Sequence, residues 1–337
     1  MAAPFIIPIF ISHQGCPHQC VFCNQHHIAG LGGGVKPTGP VEVTAAIEEA
    51  LVWPRRKSDA EVQVAFYGGT FTGLSRERQT ELLAAVAPYL TEGRVHTIRL
   101  STRPDCLTPD DAAFLWSRGV RTVELGVQSM TPAVLDLCQR GHSAEDVRGA
   151  VAALRQVGLQ VGIQLMAGLP GETPATLMAS AQQVVALAPD CVRIYPTVVV
   201  AGSELAEWHA TGRYRPLSLG RAVVLAARMK ALFDGASIPV VRMGLHDSPG
   251  LGAGIVVGPH HPAFGELVKA RLLNRQIRAR LAAAQEPVRE LRLASRDQSL
   301  LHGNNRANLR HLEWGGRLHG VRLCFDPALA RGEVRVS

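Results

Sequence analysis

Apolar runs and helical patterns alternate along the first two-thirds of the chain. The runs are 5–11, 62–67, 96–101, 121–127, 160–166 and 191–196, each rich in β-branched or large apolar residues. A stretch of helical periodicity follows each one, the rhythm of parallel strands joined by crossover helices. Thr108-Pro109, Thr131-Pro132 and Thr173-Pro174 each put a hydroxyl cap before a proline at the first helical position. Thr108 with Asp111 and Ser143 with Asp146 have near-capping-box spacing, and Gly158 suits the end of the helix that begins near Ser143. Six such units predict an open or closed β/α barrel, while spacing alone leaves a doubly wound order open.

After about residue 245 the pattern changes. A basic helix is expected at roughly 264–284, a strand at 288–293, a loop entering a short helix at 303–312, and late strands at 321–325 and 333–336. The expected fold class is therefore α/β: a partial (βα)6 TIM-like barrel over 1–245, then a small basic α+β domain over 246–337.

Composition adds a boundary to this. The chain is 47% apolar and 19% charged, as a well-buried globular enzyme would be. No run approaches the ~20 apolar residues that a membrane helix needs. A signal peptide is not expected, because the N-terminus lacks a basic region and Pro8 interrupts its apolar run. Net charge is +7 and unevenly placed: residues 266–337 hold 14 Lys+Arg against 7 Asp+Glu, whereas the first 265 hold 21 of each. That tail is either a nucleic-acid surface or a solvated basic face.

Candidate chemistry begins at Cys16-Pro-His-Gln-Cys20-Val-Phe-Cys23, directly after the first apolar run. If that run is a strand, the cysteines sit on the loop leaving its C-terminal end, where α/β folds place their sites. A closed structural zinc site takes four ligands. A 4Fe–4S cluster held by three thiolates leaves one iron open to a small molecule. Zinc completed by His13, His18, His26 or His27 is the competing reading. Cys106, Cys138, Cys191 and Cys324 show no pairing pattern, which suits buried free thiols in a reducing cytoplasm.

The second run ends in Tyr67-Gly68-Gly69-Thr70-Phe71, where consecutive glycines let a ligand approach the backbone. The later runs end in Ser101–Asp105, Glu124–Ser129, Gln164–Glu172 and Arg193–Thr197, all polar or glycine-rich, as a pocket at a barrel rim requires. Met166 and Tyr195 are apolar pocket candidates, and His142, His246, His260 and His261 receive no role. The glycines of 30–40 and 250–254 make poor dinucleotide fingerprints.

The cysteine spacing resembles the signature of the radical S-adenosylmethionine (SAM) superfamily. From Ile6 to about Arg242 the chain looks like the radical SAM part of the Elongator catalytic-subunit family, which modifies tRNA wobble uridine. The motifs are STRPD, ELGVQS, RGH and RIYPTVVVAGSEL. Oxygen-independent coproporphyrinogen oxidase is a more distant relative. The resemblance implies a 4Fe–4S cluster on Cys16, Cys20 and Cys23, with SAM on its open iron. It implies a 5′-deoxyadenosyl radical that abstracts hydrogen, and an electron donor such as a flavodoxin, ferredoxin or reductase. It places Gly68 and Gly69 against the SAM amino group, with Thr70 beside them among the cofactor-binding residues, Gln128 at its ribose and Arg140 at its carboxylate. Phe22 would shield the cluster, and Ser101 and Gln164 stand where the coproporphyrinogen enzyme has acidic residues. The Elongator family continues into an acetyltransferase domain; the 90 or so residues left here are too few for it, and they resemble a small domain found on bacterial members. The substrate is left open between RNA and a small molecule, with a non-catalytic metal-binding, RNA-associated protein as the remaining alternative.

Overall fold

The first part of the chain runs β1 (Phe5–Phe10), α1 (Pro40–Leu51), β2 (Val62–Tyr67), α2 (Arg76–Ala84), α3 (Ala87–Thr91), β3 (Thr97–Thr102), α4 (Pro109–Ser117), β4 (Val120–Gln128), α5 (Pro132–Leu137), α6 (Ala144–Gln156), β5 (Gln160–Ala167), α7 (Pro174–Leu187), β6 (Cys191–Pro196), β7 (Val199–Val200), α8 (Glu204–Ala210), α9 (Leu219–Gly235) and β8 (Val240–Met243). It continues through β9 (Ile255–Val257), α10 (Phe264–Ala283), β10 (Glu290–Ala294), α11 (Gln298–His302), α12 (Ala307–Trp314), β11 (Arg322–Asp326) and β12 (Val334–Val336). This computed structural model describes residues 4–11, 14–24, 38–53, 60–245, 252, 254–303, 306–314 and 318–337.

Seven strands pair in parallel in the order β1-β2-β3-β4-β5-β6-β8. That order follows the chain, so the winding is barrel-like and the doubly wound alternative is excluded. The sheet curls strongly. Arg193 on β6 donates from Nη2 to Tyr67 Oη on β2 at 2.9 Å, although three strands separate them in the sheet. Contact across the concave side at that distance needs a half-barrel.

The convex face is apolar. Val64, Phe66, Ile98, Leu100, Val123, Leu125, Val161, Ile163, Val192 and Ile194 are buried in one core with the surrounding helices. The alternate positions carry Tyr67, Arg99, Ser101, Glu124, Gln164 and Arg193. A parallel sheet is usually apolar on both faces; here the period-two alternation marks a bore that is not filled with hydrocarbon.

All six strands expected from the apolar runs are present. The seventh, β8, was not expected, being four residues long, set behind Pro239 and without a buried residue. Thr108, Ser143 and Thr173 accept hydrogen bonds from the third helical amide, as their caps predict. Thr131 does not: its Oγ1 lies 3.2 Å from Ser180 Oγ, and α5 starts without a side-chain cap.

The last part has a core of its own. Leu291, Leu293, Leu300, Leu301, Leu309, Leu312 and Val334 pack with Ala270, Leu273 and Ile277 of α10 beneath the three-stranded sheet β11-β10-β12. Phe264 and Val268, at the start of the same helix, belong to the main core. One helix therefore ties both cores together. No helix among the described residues is long and apolar enough to cross a membrane.

Candidate functional site

The cysteine loop leaves the C-terminal end of β1 and is pressed onto the turn that ends β2. Thr70 N donates to Gln14 O at 3.0 Å. A Cβ on Gly69 would stand 2.6 Å from Ile11 O and 2.7 Å from Gln14 O, too close for any side chain. Gly15 has φ +78°, and a Cβ there would overlap Thr70 O and the Gly73 backbone. The glycines expected to admit a ligand thus first admit the cysteine loop, with Gly68 alongside at φ +82°. The other flank of the loop is held as well. Val21 N donates to Cys138 O at 3.2 Å, Leu205 N to Val21 O at 2.7 Å, and Asn24 Nδ2 to Ala201 O at 2.7 Å. Val21 packs in a small core with Val134, Cys138, Leu169, Leu205, Trp208 and Tyr214, with Phe22 and Met166 against it.

The Cys16 and Cys20 sulfurs each face a polar partner. Cys16 Sγ lies 3.1 Å from Thr70 Oγ1. Cys20 is buried and accepts from Arg140 Nη1 at 3.0 Å and Arg103 Nη1 at 3.8 Å. Arg103 also holds Asp105 with two 3.0 Å bonds and donates to the Arg140 carbonyl. Cys23 N closes the turn on Cys20 O at 2.9 Å. His18, a candidate zinc ligand, lies against Gly141 and faces Asp105, with Nε2 3.7 Å from Oδ2. His13, His26 and His27 lie outside the described residues. Among those described, no three His, Cys, Asp or Glu side chains come together around one ion.

Three of the residues expected to bind SAM, Gln128, Gln164 and Arg140, meet beside this loop. β4 bulges between Gly126 and Gln128, and Gln128 is held at φ +68°. A non-glycine residue in that region is strained, and such strain collects at functional sites. Gln128 Oε1 accepts from Gln164 Nε2 at 3.1 Å. Gly126 leaves room for both neighbours: a Cβ there would be 3.1 Å from Gln128 Nε2 and 3.7 Å from Arg140 Nη2. Arg140 Nη2 donates to Gly126 O at 2.5 Å, and its guanidinium carbon lies 5.9 Å from the Phe22 ring centre. A continuous path thus runs Gln164–Gln128–Gly126–Arg140–Cys20. Ser101 stands apart from it, with its Oγ on Phe66 O at 3.4 Å.

Below the rim lies a network that the sequence did not single out. Glu124 Oε2 is 2.5 Å from Arg193 Nε, and Oε1 receives Arg193 Nη2 at 2.8 Å and Tyr67 Oη at 3.2 Å. Arg99 Nε is 3.4 Å from the same oxygen, without hydrogen-bond geometry. Tyr195 Oη accepts from Arg193 Nη1 at 3.3 Å, so this pocket candidate carries a polar contact. Gly162 on the intervening β5 keeps the path open, since a Cβ there would lie 3.0 Å from Glu124 Cγ. Burial, then the Glu124 charge, push the Tyr67 phenol up to about 12.

Other titratable groups are settled by burial. Cys138 is pushed up to about 12 and Cys191 to about 11, chiefly by desolvation. These two are buried as expected, while Cys106 and Cys324 are half-buried. His142 is lowered to about 4 by burial and then by the Arg140 charge. His261 Nδ1 accepts from Ala263 N at 3.0 Å, and His246 lies outside the described residues.

The chain is similar to known proteins. The profile of the radical SAM superfamily matches residues 10–184, and that of the radical SAM C-terminal domain matches residues 189–274. A tRNA uridine(34) acetyltransferase of Dehalococcoides mccartyi is 29% identical over 267 residues, covering 69% of this chain and 57% of that protein. An uncharacterised protein of Methanocaldococcus jannaschii is 30% identical over 230 residues, covering 66% of this chain and 69% of its own length. Among solved structures, the archaeal Elp3 of Methanocaldococcus infernus superposes with a TM-score of 0.62 at 24% identity, over 82% of this chain and 64% of that one. The chain thus spans little more than half of the acetyltransferase relative.

Proposed function

We propose, since the chain belongs to the radical SAM superfamily, that it is a radical enzyme working at this rim and that its substrate is RNA. Cys16, Cys20 and Cys23 would hold the 4Fe–4S cluster, and Gly68, Gly69, Thr70, Ser101, Gln128, Arg140, Gln164 and Phe22 would line the SAM site. The residues fit that load: three soft sulfurs on one loop, N–H donors on Cys20, and a buried Arg140 Nε with no hydrogen-bond partner among the described residues. When held by these cysteines, such a group would supply one-electron reducing chemistry for the reductive cleavage of SAM.

The chain's own task is placement. Gly15, Gly69 and Gly73 lock the cysteine loop to the β2 turn. The Gln128–Gln164 pair offers amide groups suited to ribose hydroxyls. Arg140 offers a guanidinium fork that suits a carboxylate. The observation that carries this reading is the contact path from Gln164 through Gln128 and Arg140 to Cys20, which supports a SAM site beside the cysteine loop. RNA as substrate rests on the tRNA-acting relative and on the basic tail. An electron-donor protein and a reducing cytoplasm belong to the same proposal.

The test is anaerobic reconstitution with iron and sulfide, followed by SAM, dithionite and perdeuterated cellular RNA or a perdeuterated metabolite extract. The expected result is 5′-deoxyadenosine that carries deuterium from RNA and is lost in Cys20→Ala. Undiminished SAM cleavage by Cys20→Ala would remove the mechanism. Deuterium arriving only from the metabolite extract would remove RNA.

A further inference from the structure

Part of the tail's positive charge is paired with acidic neighbours, and part, including exposed Arg280, Arg289 and Arg296, is in no ion pair among the described residues. Lys269 pairs with Glu266, Arg292 and Arg322 with Glu290, and Arg335 with Glu333. Arg331 reaches Glu266 and Asp297. On α10 the position is different. Arg271, Arg275 and Arg278 are exposed, and none has an acidic partner among the described residues. Their spacing of four and three residues sets them on one helix face, where they frame an open hollow of ≈ 420 Å³ with Ala279 and Ala282. Another face of the helix is buried through Ala270, Leu273 and Ile277, so the stripe is fixed in direction by the small core.

We infer that this arginine stripe is a docking surface for the phosphate backbone of an RNA substrate. The inference rests on the RNA reading above and gives it a place on the molecule. Four features choose the partner. Three like charges within two turns repel one another, and a polyanion relieves that repulsion. All three are arginines, whose planar fork matches phosphate. The lining adds only two alanine methyls, and the helix's apolar face is already buried, so α10 itself offers no apolar face to a bilayer. Finally, α12 docks on α10 through Asn274 Nδ2 to Asn308 O at 3.3 Å, and it ends in Trp314, which is 96% exposed. An exposed indole on the helix that braces the stripe offers a stacking surface for an unpaired base.

Distance also suits the role. Phe264, at the N-terminus of α10, packs on Gly244 just past the end of β8, at the catalytic rim. Arg271 and Arg278 follow at about 10 and 20 Å along the helix. A structured RNA that reaches the rim with one nucleotide would lay its backbone over that span.

The experiment uses the reconstituted full chain, bulk tRNA labelled for fluorescence anisotropy, and a salt series. Variants are the triple Arg271→Ala/Arg275→Ala/Arg278→Ala, the matching triple Lys, and Trp314→Ala. Wild-type binding should fall steeply with salt. The triple-Ala variant should lose at least tenfold in affinity and about two to three units of salt slope, roughly one for each phosphate contact. The triple-Lys variant should keep most of the slope, and Trp314→Ala should weaken binding with the slope unchanged. SAM cleavage without RNA should match wild type in all of them, which reports an intact fold and rim. If wild type binds tRNA and the triple-Ala variant binds equally well, the stripe is not the surface and the RNA reading survives. If wild type fails to bind tRNA at low salt, the RNA reading itself fails. If poly-glutamate competes as well as tRNA, the surface is for acidic polypeptides and the inference is overturned.

Discussion

Arg140 Nη1 lies 3.0 Å from Cys20 Sγ, while its Nη2 bonds the carbonyl of Gly126 at 2.5 Å. One guanidinium thus joins the cysteine loop to the bulged strand that carries Gln128. Hydrogen bonds to a cluster sulfur shift its potential, so under the proposed function this side chain would have two roles that can be separated. Arg140→Ala should still assemble a cluster with its visible absorbance. SAM affinity should fall at least tenfold, and the potential should move to more negative values. Equilibrium SAM binding and a dye-mediated redox titration check each part. Unchanged SAM affinity would detach Arg140 from the cofactor site.

The close approach of Gly15 to the β2 turn gives a sharper test of how the cluster loop is held. An alanine at Gly15 must take φ near +78° and overlap the Thr70 carbonyl. Strain and overlap together should cost about 1–3 kcal/mol locally. Gly15→Ala should leave the far-UV spectrum unchanged while cluster incorporation drops to a small fraction of wild type. Gly93→Ala, where nothing lies within 4 Å of the new Cβ, controls for a positive-φ glycine far from the site. Equal cluster content in the two variants would show that the loop does not depend on this contact.

The sequence made the strands and the cysteines legible because both are local signals. Apolar residues at every second position mark the convex face, and three cysteines within eight residues need no long-range information. The Glu124 network was hidden for the opposite reason. Arg193 and Tyr67 are 126 residues apart, and only the curl of the sheet brings them together. A signal was present nonetheless. Arg99, Ser101, Glu124, Gln164 and Arg193 all sit out of phase with the Val, Ile and Leu of their strands, so a polar bore could be inferred from parity alone. Gly69 shows the other limit. Its sequence context suggests room for a ligand, but which backbone enters that room is a tertiary fact.

The bore network predicts a stability pattern. Glu124 is buried, accepts from Arg193 and Tyr67, and lies 3.4 Å from Arg99 Nε. Glu124→Leu leaves buried guanidinium groups without their carboxylate, a change that typically costs about 3–5 kcal/mol. Removing the neighbouring charge as well, in Glu124→Leu/Arg193→Met, should recover a good part of that loss. Urea denaturation with a constant slope measures both. A double variant less stable than the single one would show that Arg193 is held by something other than this carboxylate.

Two buried groups should bend the pH dependence of stability in opposite directions. Burial raises Glu172 from 4.5 to about 7, and its Oε1 has no partner among the described residues. The folded chain therefore holds this proton more tightly than the unfolded one. The contribution is complete below about pH 4.5 and is lost as pH rises through 7. His142 is lowered from 6.5 to about 4, so its contribution is complete above 6.5 and is lost as pH falls through 4. Between pH 4.5 and 6.5 the two oppose each other, each at up to about 1.4 kcal/mol per pH unit. Glu172→Gln should gain stability relative to wild type as pH rises across that window, because it removes a term that declines there. His142→Gln should gain relative to wild type as pH falls. Urea midpoints for the three proteins at half-unit pH steps read out both slopes. Two variants that track each other would mean that neither side chain is held in the protonation state its burial imposes.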